Sequence, residues 1–164
     1  MEEICRAFDW VVRKGWAFYW GTSEWTATHI AEAHYTCDKY NLIKPVVEQP
    51  QYSLLVRDKI ELDYKKLFEK NLLGTTIWSP LAGGVLTGKY NNGIPEGSRY
   101  DTNPDMKGSL DRLFSADKKE KSIAMLNKFQ GIADSLGCNM AQLAMAWVII
   151  NPDISTAITG ATRP

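Results

Sequence analysis

Three things are scarce in this sequence: an excess of charge of either sign, cysteine and histidine, and long apolar runs. Nineteen Lys and Arg residues balance nineteen Asp and Glu. A balanced chain with no basic stripe lacks the electrostatic footprint for a phosphate backbone, so nucleic acid is not an expected partner. No acidic tail suggests disorder. The cysteines are three, Cys5, Cys37 and Cys138, an odd number at wide spacing in stretches that read as helix. Such a set suits reduced thiols in the cytosol, and neither a disulfide framework nor a zinc site. The two histidines, His29 and His34, sit five apart on an expected helix and diverge around its circumference. A surface or half-buried role is expected for both, and no metal site. The apolar runs fall far short of the roughly 20 residues of a membrane span, and no charged-then-apolar leader opens the chain. Membrane insertion is therefore not expected.

What remains is an ordinary globular composition of 164 residues, 45% hydrophobic and 23% charged, enough for one domain with a core. The pattern opens in a helix, with Ile4, Phe8, Val11 and Val12 on one face and a stop at Lys14-Gly15. Trp16 to Trp20 reads as a first strand. Thr26 is placed to cap a helix whose Ile30, Ala33, Cys37 and Tyr40 keep helical spacing up to Asn41. After Pro45, residues 46–49 read as a second strand, and Asp58 starts a helix with Ile60, Tyr64, Leu67 and Phe68 inward. Gly74 ends it, and residues 75–78, rich in β-branched side chains, read as a third strand. A long stretch from Asn91 to Phe114 is dense in Gly, Pro, Asn and Ser, longer than ordinary connections. Ser115 is expected to cap a long helix carrying Ile123, Leu126, Phe129, Ala133 and Leu136. Asn139-Met-Ala-Gln142 has the form of a capping box for another, with Leu143, Ala146, Trp147 and Ile150 inward. Residues 154–158 read as a fourth strand, leading to Gly160-Ala-Thr162.

Strands alternating with helices imply a parallel sheet with helical crossovers. The pattern leaves two architectures open, a doubly wound sheet or part of a (β/α) barrel. Each expected strand ends in polar or aromatic residues unlike core, namely Trp20-Gly-Thr-Ser23, Glu48-Gln49, Trp78-Ser79 and Gly160-Ala-Thr162. Barrels gather their sites at such C-terminal ends, which favours the barrel. A full barrel takes about 250 residues, so the expectation is half a domain.

Residues 78–90, WSPLAGGVLTGKY, nearly match a Walker A loop through Gly83, Gly88 and Lys89. The hydroxyl that such a loop offers to magnesium is replaced by Tyr90, and no convincing helix follows. Two other readings stand beside it: a plain surface loop, or a turn whose small residues Ala82, Gly83 and Gly84 let backbone N–H groups approach a diphosphate, with Lys89 and Arg99 adding positive charge.

The stretches YWGTSEW (19–25), EQPQY (48–52), WSPLAGGVLTGKYNNGIPEGSR (78–99) and ITGAT (158–162), in order and at compatible spacing, strongly resemble the aldo-keto reductase superfamily. Within it, they are most similar to the beta subunits of voltage-gated (Shaker-type) potassium channels and their plant and fungal relatives. The resemblance implies an α/β fold, the C-terminal half of a (β/α)8 TIM barrel of about four parallel strands, running from the fourth helix to the eighth strand. It also implies NADPH/NADP+ as cofactor and aldehydes or ketones as substrates. As partners it implies a channel's cytoplasmic domain and a fourfold homo-oligomer, with a cytoplasmic location peripheral to the membrane. Residue by residue, Ser23 and Gln49 match the pair that holds the nicotinamide carboxamide, and Trp78 the aromatic that stacks on its ring. Ser79, Pro80, Leu81, Ala82 and Gly83 match the diphosphate turn, with Gly83 where animal members carry cysteine. Lys89 and Arg99 match phosphate ligands, and Gly160 and Thr162 the adenosine-phosphate loop. Glu24 and Gly97 depart from the animal pattern, which has arginine and tyrosine there. The family's catalytic tyrosine, lysine and aspartate belong to earlier strands, and Tyr19, Tyr52 and Tyr90 match noncatalytic positions, so no catalytic residue is expected in this chain. Two other functions stay open: a soluble aryl-alcohol or aldehyde reductase without a channel partner, and a noncatalytic interaction module.

Overall fold

The computed structural model describes residues 1–70, 72–103, 105, 108, 114, 115 and 117–160. The order of elements is α1 (Glu2–Arg13), β1 (Gly21–Ser23), α2 (Ala27–Tyr40), β2 (Val47–Gln49), a π-helical turn (Lys59–Asp63), α3 (Lys65–Glu69), β3 (Gly74–Ile77), a 3-10 turn (Ala82–Thr87), α4 (Arg99–Thr102), α5 (Lys119–Ser135), α6 (Met140–Ile149) and β4 (Thr156–Ala157). Residues Met1–Ser79 with Val148 onward form one compact unit and Pro80–Trp147 a second.

The first unit holds a four-stranded sheet in the order β1-β2-β3-β4. Every pairing is parallel, with Ser23 opposite Gln49, Glu48 opposite Thr75 and Ile77 opposite Ala157. Strand order follows chain order without reversal. A doubly wound sheet reverses at a switch point, so the topology is that of a barrel wall. Among the described residues the sheet does not close, and the fold is a partial α/β barrel, as expected. Alternation divides the strands into two faces. Thr22, Glu48, Thr75 and Ile77 are buried, whereas Gly21, Ser23, Val47, Gln49, Gly74 and Thr76 on the opposite face are exposed or half-buried.

The expected first strand is the main correction. Pairing begins at Gly21, and Trp16, Phe18 and Tyr19 are 71%, 90% and 73% exposed. The reason is steric: a Cβ on Gly21 would collide with the Val47 side chain and carbonyl, so the two backbones meet closely only where the side chain is missing. Trp20 is buried instead, stacked on Phe8 at 4.6 Å with its indole N–H donating to the Ile43 carbonyl at 2.8 Å. It joins Cys5, Ala33 and Cys37 in the core between α1 and α2.

The buried stripe of α1 is also displaced from its expected face. Cys5 and Asp9 are buried, whereas Ile4 and Phe8 are about two-fifths exposed. Asp9 tolerates burial because it accepts from Arg13 at 2.7 Å and from the Ile43 N–H at 2.8 Å. Those contacts, Arg13 first, hold its carboxyl below the usual carboxylate range.

The caps of α2 are as expected. Thr26 accepts from the His29 N–H at 3.2 Å, and Asn41 closes the helix in the left-handed region. The thiols are free, and burial pushes Cys37 up to about 12, which makes it a packing residue. Asp58 makes no side-chain cap, and its helix is split into the π-helical turn and α3, though Ile60, Tyr64 and Leu67 are buried as expected.

In the second unit the capping box forms: Asn139 N–H donates to Gln142 at 2.9 Å and Gln142 N–H to Asn139 at 2.8 Å. The helix it opens buries Ala144 and leaves Ala146 exposed. Its end, in the first unit, buries Val148 and leaves Ile150 80% exposed. The inward face is thus one residue away from the expected one. The long helix starts at Lys119 with no side-chain cap from Ser115, and Leu136 is 65% exposed. No single helix among the described residues is long and apolar enough to cross a membrane.

Candidate functional site

The C-terminal ends of β1, β2 and β3 bring together three of the expected site residues. Ser23 is the last residue of β1, and its hydroxyl donates to the Gln49 carbonyl at 2.9 Å. Gln49 ends β2, and its amide donates to the Thr76 hydroxyl at 3.3 Å, across the same sheet face. Trp78 follows β3 directly, bridges to Gln51, and donates its backbone N–H to the Pro50 carbonyl at 3.2 Å. Its side chain is 37% exposed. The cluster therefore presents a neutral amide, a hydroxyl and an aromatic surface where barrels carry their chemistry.

One residue of the cluster was noted in the sequence only as a departure from a family pattern. Glu24, just past β1, accepts from the Trp78 indole N–H at 2.9 Å, from the Gln51 N–H at 2.6 Å and from Lys59 at 2.5 Å. Burial alone would raise its carboxyl, but these donors outweigh it and the pKa lies below the ordinary value. Nothing in residue spacing marks Glu24, because its partners lie 27, 35 and 54 residues away, after β2 and after β3.

Behind the same strand ends lies a buried acid, Glu48, fully enclosed on the packed face. The Thr22 hydroxyl donates to it, as does the Trp25 N–H at 3.1 Å, with the Tyr64 hydroxyl at 3.4 Å. Burial raises its pKa against these hydrogen bonds. The Tyr64 hydroxyl also donates to the Trp25 carbonyl.

In the second unit the expected diphosphate turn is a left-handed run. Ala82, Gly83 and Gly84 have φ of 50°, 66° and 100°, and Ser79 before them in the chain has 56°. Leu81 precedes Ala82 at φ −96°, ψ 13°, and its carbonyl accepts the Gly84 N–H at 2.9 Å and the Leu86 N–H at 3.2 Å, which closes the turn. Lys89 is exposed, and its side chain crosses the turn: a Cβ on Gly84 would lie 2.8 Å from Lys89 Cε and 3.1 Å from Nζ. Tyr100 covers the residue before Gly84, its hydroxyl occupying the place of a Cβ on Gly83, and its ring meets Tyr90 edge-on at 5.0 Å. Arg99, exposed, opens α4 immediately before Tyr100. Tyr90 is 3% exposed, so the position a P-loop reserves for a magnesium-binding hydroxyl is a packed ring. The segment after Lys89 is a turn and not a helix. Both observations go against the P-loop reading.

Gly83→Ala is expected to cost about 1–3 kcal/mol, from the left-handed backbone and the displaced Tyr100 hydroxyl. Adding Tyr100→Phe should recover part of that loss in urea denaturation; equal stability of Gly83→Ala and wild type would contradict this packing.

Of the remaining expected residues, Pro80 is buried, Ser79 and Leu81 are half-buried, and Gly160 is exposed three residues beyond β4. Thr162 lies outside the described residues. No cluster of metal-ligating side chains occurs among the described residues. A cavity of about 520 Å³, with His34, Lys44, Phe68 and Ser155 in its wall, opens beside Val46 and Gly74, at the N-terminal ends of the strands. Barrel enzymes carry their chemistry at the opposite, C-terminal ends of the strands, so the cavity is not the candidate site.

This fold and these strand ends are those of an aldo-keto reductase barrel: the aldo/keto reductase family matches residues 1–164, and the chain belongs to that family. It is 46% identical to a putative voltage-gated potassium channel subunit beta of Schizosaccharomyces pombe, covering 100% of this chain and 47% of that protein. It is 47% identical to a probable voltage-gated potassium channel subunit beta of Arabidopsis thaliana (99% of this chain, 48% of that protein), and 46% to one of Oryza sativa subsp. japonica (99% and 48%). The chain thus spans about half the length of these relatives.

Proposed function

We propose that this chain is part of an NADPH-binding aldo-keto reductase of the potassium-channel beta-subunit type, with aldehydes or ketones as substrates. The observation that carries this reading is the grouping of Ser23, Gln49 and Trp78 at the ends of three successive parallel strands. The cofactor, when bound, supplies hydride to a carbonyl carbon. The residues present fit such a group. Ser23 and Gln49 offer a hydroxyl and an amide that match a carboxamide in polarity and charge, and Trp78 offers a surface for a flat ring. The small residues of the Ala82–Gly84 turn would let a diphosphate come close to the backbone, and the Lys89 ammonium beside it adds positive charge. Ser79 and Pro80 lead into that turn, Arg99 supplies a second cation, and Gly160 with Thr162 would contact the adenosine phosphate. The names of the relatives support a voltage-gated potassium channel as partner; the proposal extends to a cytoplasmic place beside that channel and to a homo-oligomer, and co-purification with a channel's cytoplasmic domain tests the partner.

Titrating NADPH and Mg-ATP against wild type, Lys89→Ala and Trp78→Ala tests the cofactor. Lys89→Ala should weaken NADPH roughly tenfold, since a charge-assisted contact contributes about 1.5–3 kcal/mol, and should flatten the dependence on salt. Trp78→Ala should also weaken binding but keep the salt slope. Magnesium-dependent ATP binding that needs Lys89, with indifference to NADPH, would end this reading.

A further inference from the structure

Glu24 is the residue at which three strand ends meet. It follows β1, Gln51 lies two residues past β2, and Trp78 lies one past β3. One carboxylate oxygen accepts from the Gln51 N–H at 2.6 Å and from the Trp78 indole at 2.9 Å, and the other takes Lys59 at 2.5 Å. The Glu24 backbone is left-handed at φ 60°. A residue with a Cβ holds that conformation only where its surroundings over-determine it, and the three donors do so here.

Trp78 needs such a fixture. Its ring is 37% exposed, and an indole that turns freely about its two side-chain torsions must be ordered by whatever stacks on it. We infer that Glu24 is a positioning residue, whose carboxylate holds the Trp78 indole at the open end of the strands in a stacking orientation. The inference rests on the cofactor reading above for the identity of the stacked ring, but not for the anchoring. The carboxyl titrates below its ordinary value, so the anchor stays anionic throughout the neutral range. Lys59 is paired with the other oxygen, which makes it a control: losing it should change the charge balance of the anchor and keep the acceptor for the indole.

The test is the indole N–H signal of Trp78 in the ¹⁵N-labelled full chain, identified by its loss in Trp78→Phe and followed with pH, together with NADPH titration. The signal should shift with a midpoint below that of an ordinary carboxyl, and Lys59→Met should raise that midpoint. Glu24→Gln should abolish the titration. Glu24→Ala should weaken NADPH about threefold to tenfold, the cost of ordering one aromatic side chain, and Glu24→Gln should restore part of the loss because its amide oxygen still accepts the indole N–H. If Glu24→Ala does not fold, Glu24→Gln and Lys59→Met still decide the anchoring. A Trp78 signal indifferent to pH and to Glu24→Gln overturns the inference. So does unchanged NADPH affinity in Glu24→Ala when Trp78→Ala lowers it. A wild-type chain that ignores NADPH while its Trp78 signal still titrates overturns the cofactor reading and upholds the anchor.

Discussion

Glu48→Ala is expected to destabilise the first unit by about 3–5 kcal/mol, a large share of a domain's total stability. The side chain is fully buried, and its loss strands two donors, the Thr22 hydroxyl and the Trp25 N–H. Each abandoned buried donor costs about 1–3 kcal/mol, and the vacated volume adds to that. Glu48→Gln should behave differently. Its amide oxygen still accepts from Trp25, and its NH2 can donate to a reoriented Thr22 hydroxyl. The two chains should then differ in their response to pH. Burial raises the folded-state pKa of Glu48 above its ordinary 4.5, so its contribution is fully present below about 4.5 and is lost as pH rises through the folded value. Relative to Glu48→Gln, wild type should therefore be most stable in acid and lose that advantage toward neutrality. Urea midpoints of the three chains across pH 4–8 check both statements. An alanine variant as stable as wild type, or a wild-type-to-glutamine difference flat in pH, would contradict them.

Local signals in the sequence were legible where the physics is local. Thr26 and Asn41 cap α2, and Asn139 with Gln142 forms the capping box of α6, because such interactions reach only three or four residues along the chain. The parallel sheet was legible from alternation, and the sequential strand order then settles the barrel topology that composition left open. What failed was placement. Trp16 to Trp20 has the β-propensity of a strand, but the pairing partner Val47 admits a close backbone only at Gly21, a constraint set 26 residues away. The inward faces of α1 and α6 shifted by a residue for the same reason: periodicity reports an apolar stripe, and tertiary partners choose which edge of it is buried.

The candidate site divides along the same line. Ser23, Gln49 and Trp78 could be read from their positions at strand ends together with a family resemblance. Glu24 could not. A carboxylate in a strand-to-helix connection is an ordinary surface residue until Gln51, Lys59 and Trp78 converge on it, and only the fold brings them there. Glu48 was legible as a strand-end polar residue, but its burial under Tyr64 and Trp25 was not.

Purified as these 164 residues, the chain is expected to show no steady reduction of 4-nitrobenzaldehyde at the expense of NADPH. Carbonyl reduction needs a proton donor placed at the carbonyl oxygen, and general acid catalysis typically contributes 10²–10⁴-fold. The resemblance assigns no catalytic tyrosine to this chain, and the tyrosines packed in the first unit are unsuited to the task. Tyr52 is 1% exposed and donates to Glu61 at 2.9 Å while accepting from Asn151 at 3.0 Å; burial pushes its hydroxyl up to about 12. Tyr64 is fully buried, its hydroxyl committed to the Trp25 carbonyl and its pKa raised by burial and then by Glu48. A phenol held this way gives up its proton reluctantly, and freeing it would break the hydrogen bonds that keep it buried. NADPH binding and turnover should therefore separate: the cofactor titrates, with Lys89 and Trp78 contributing, while absorbance at 340 nm stays at the uncatalysed rate in the presence of aldehyde. Turnover that survives removal of contaminating reductases and disappears in Tyr52→Phe or Tyr64→Phe would refute this assignment and make the buried phenol a working acid.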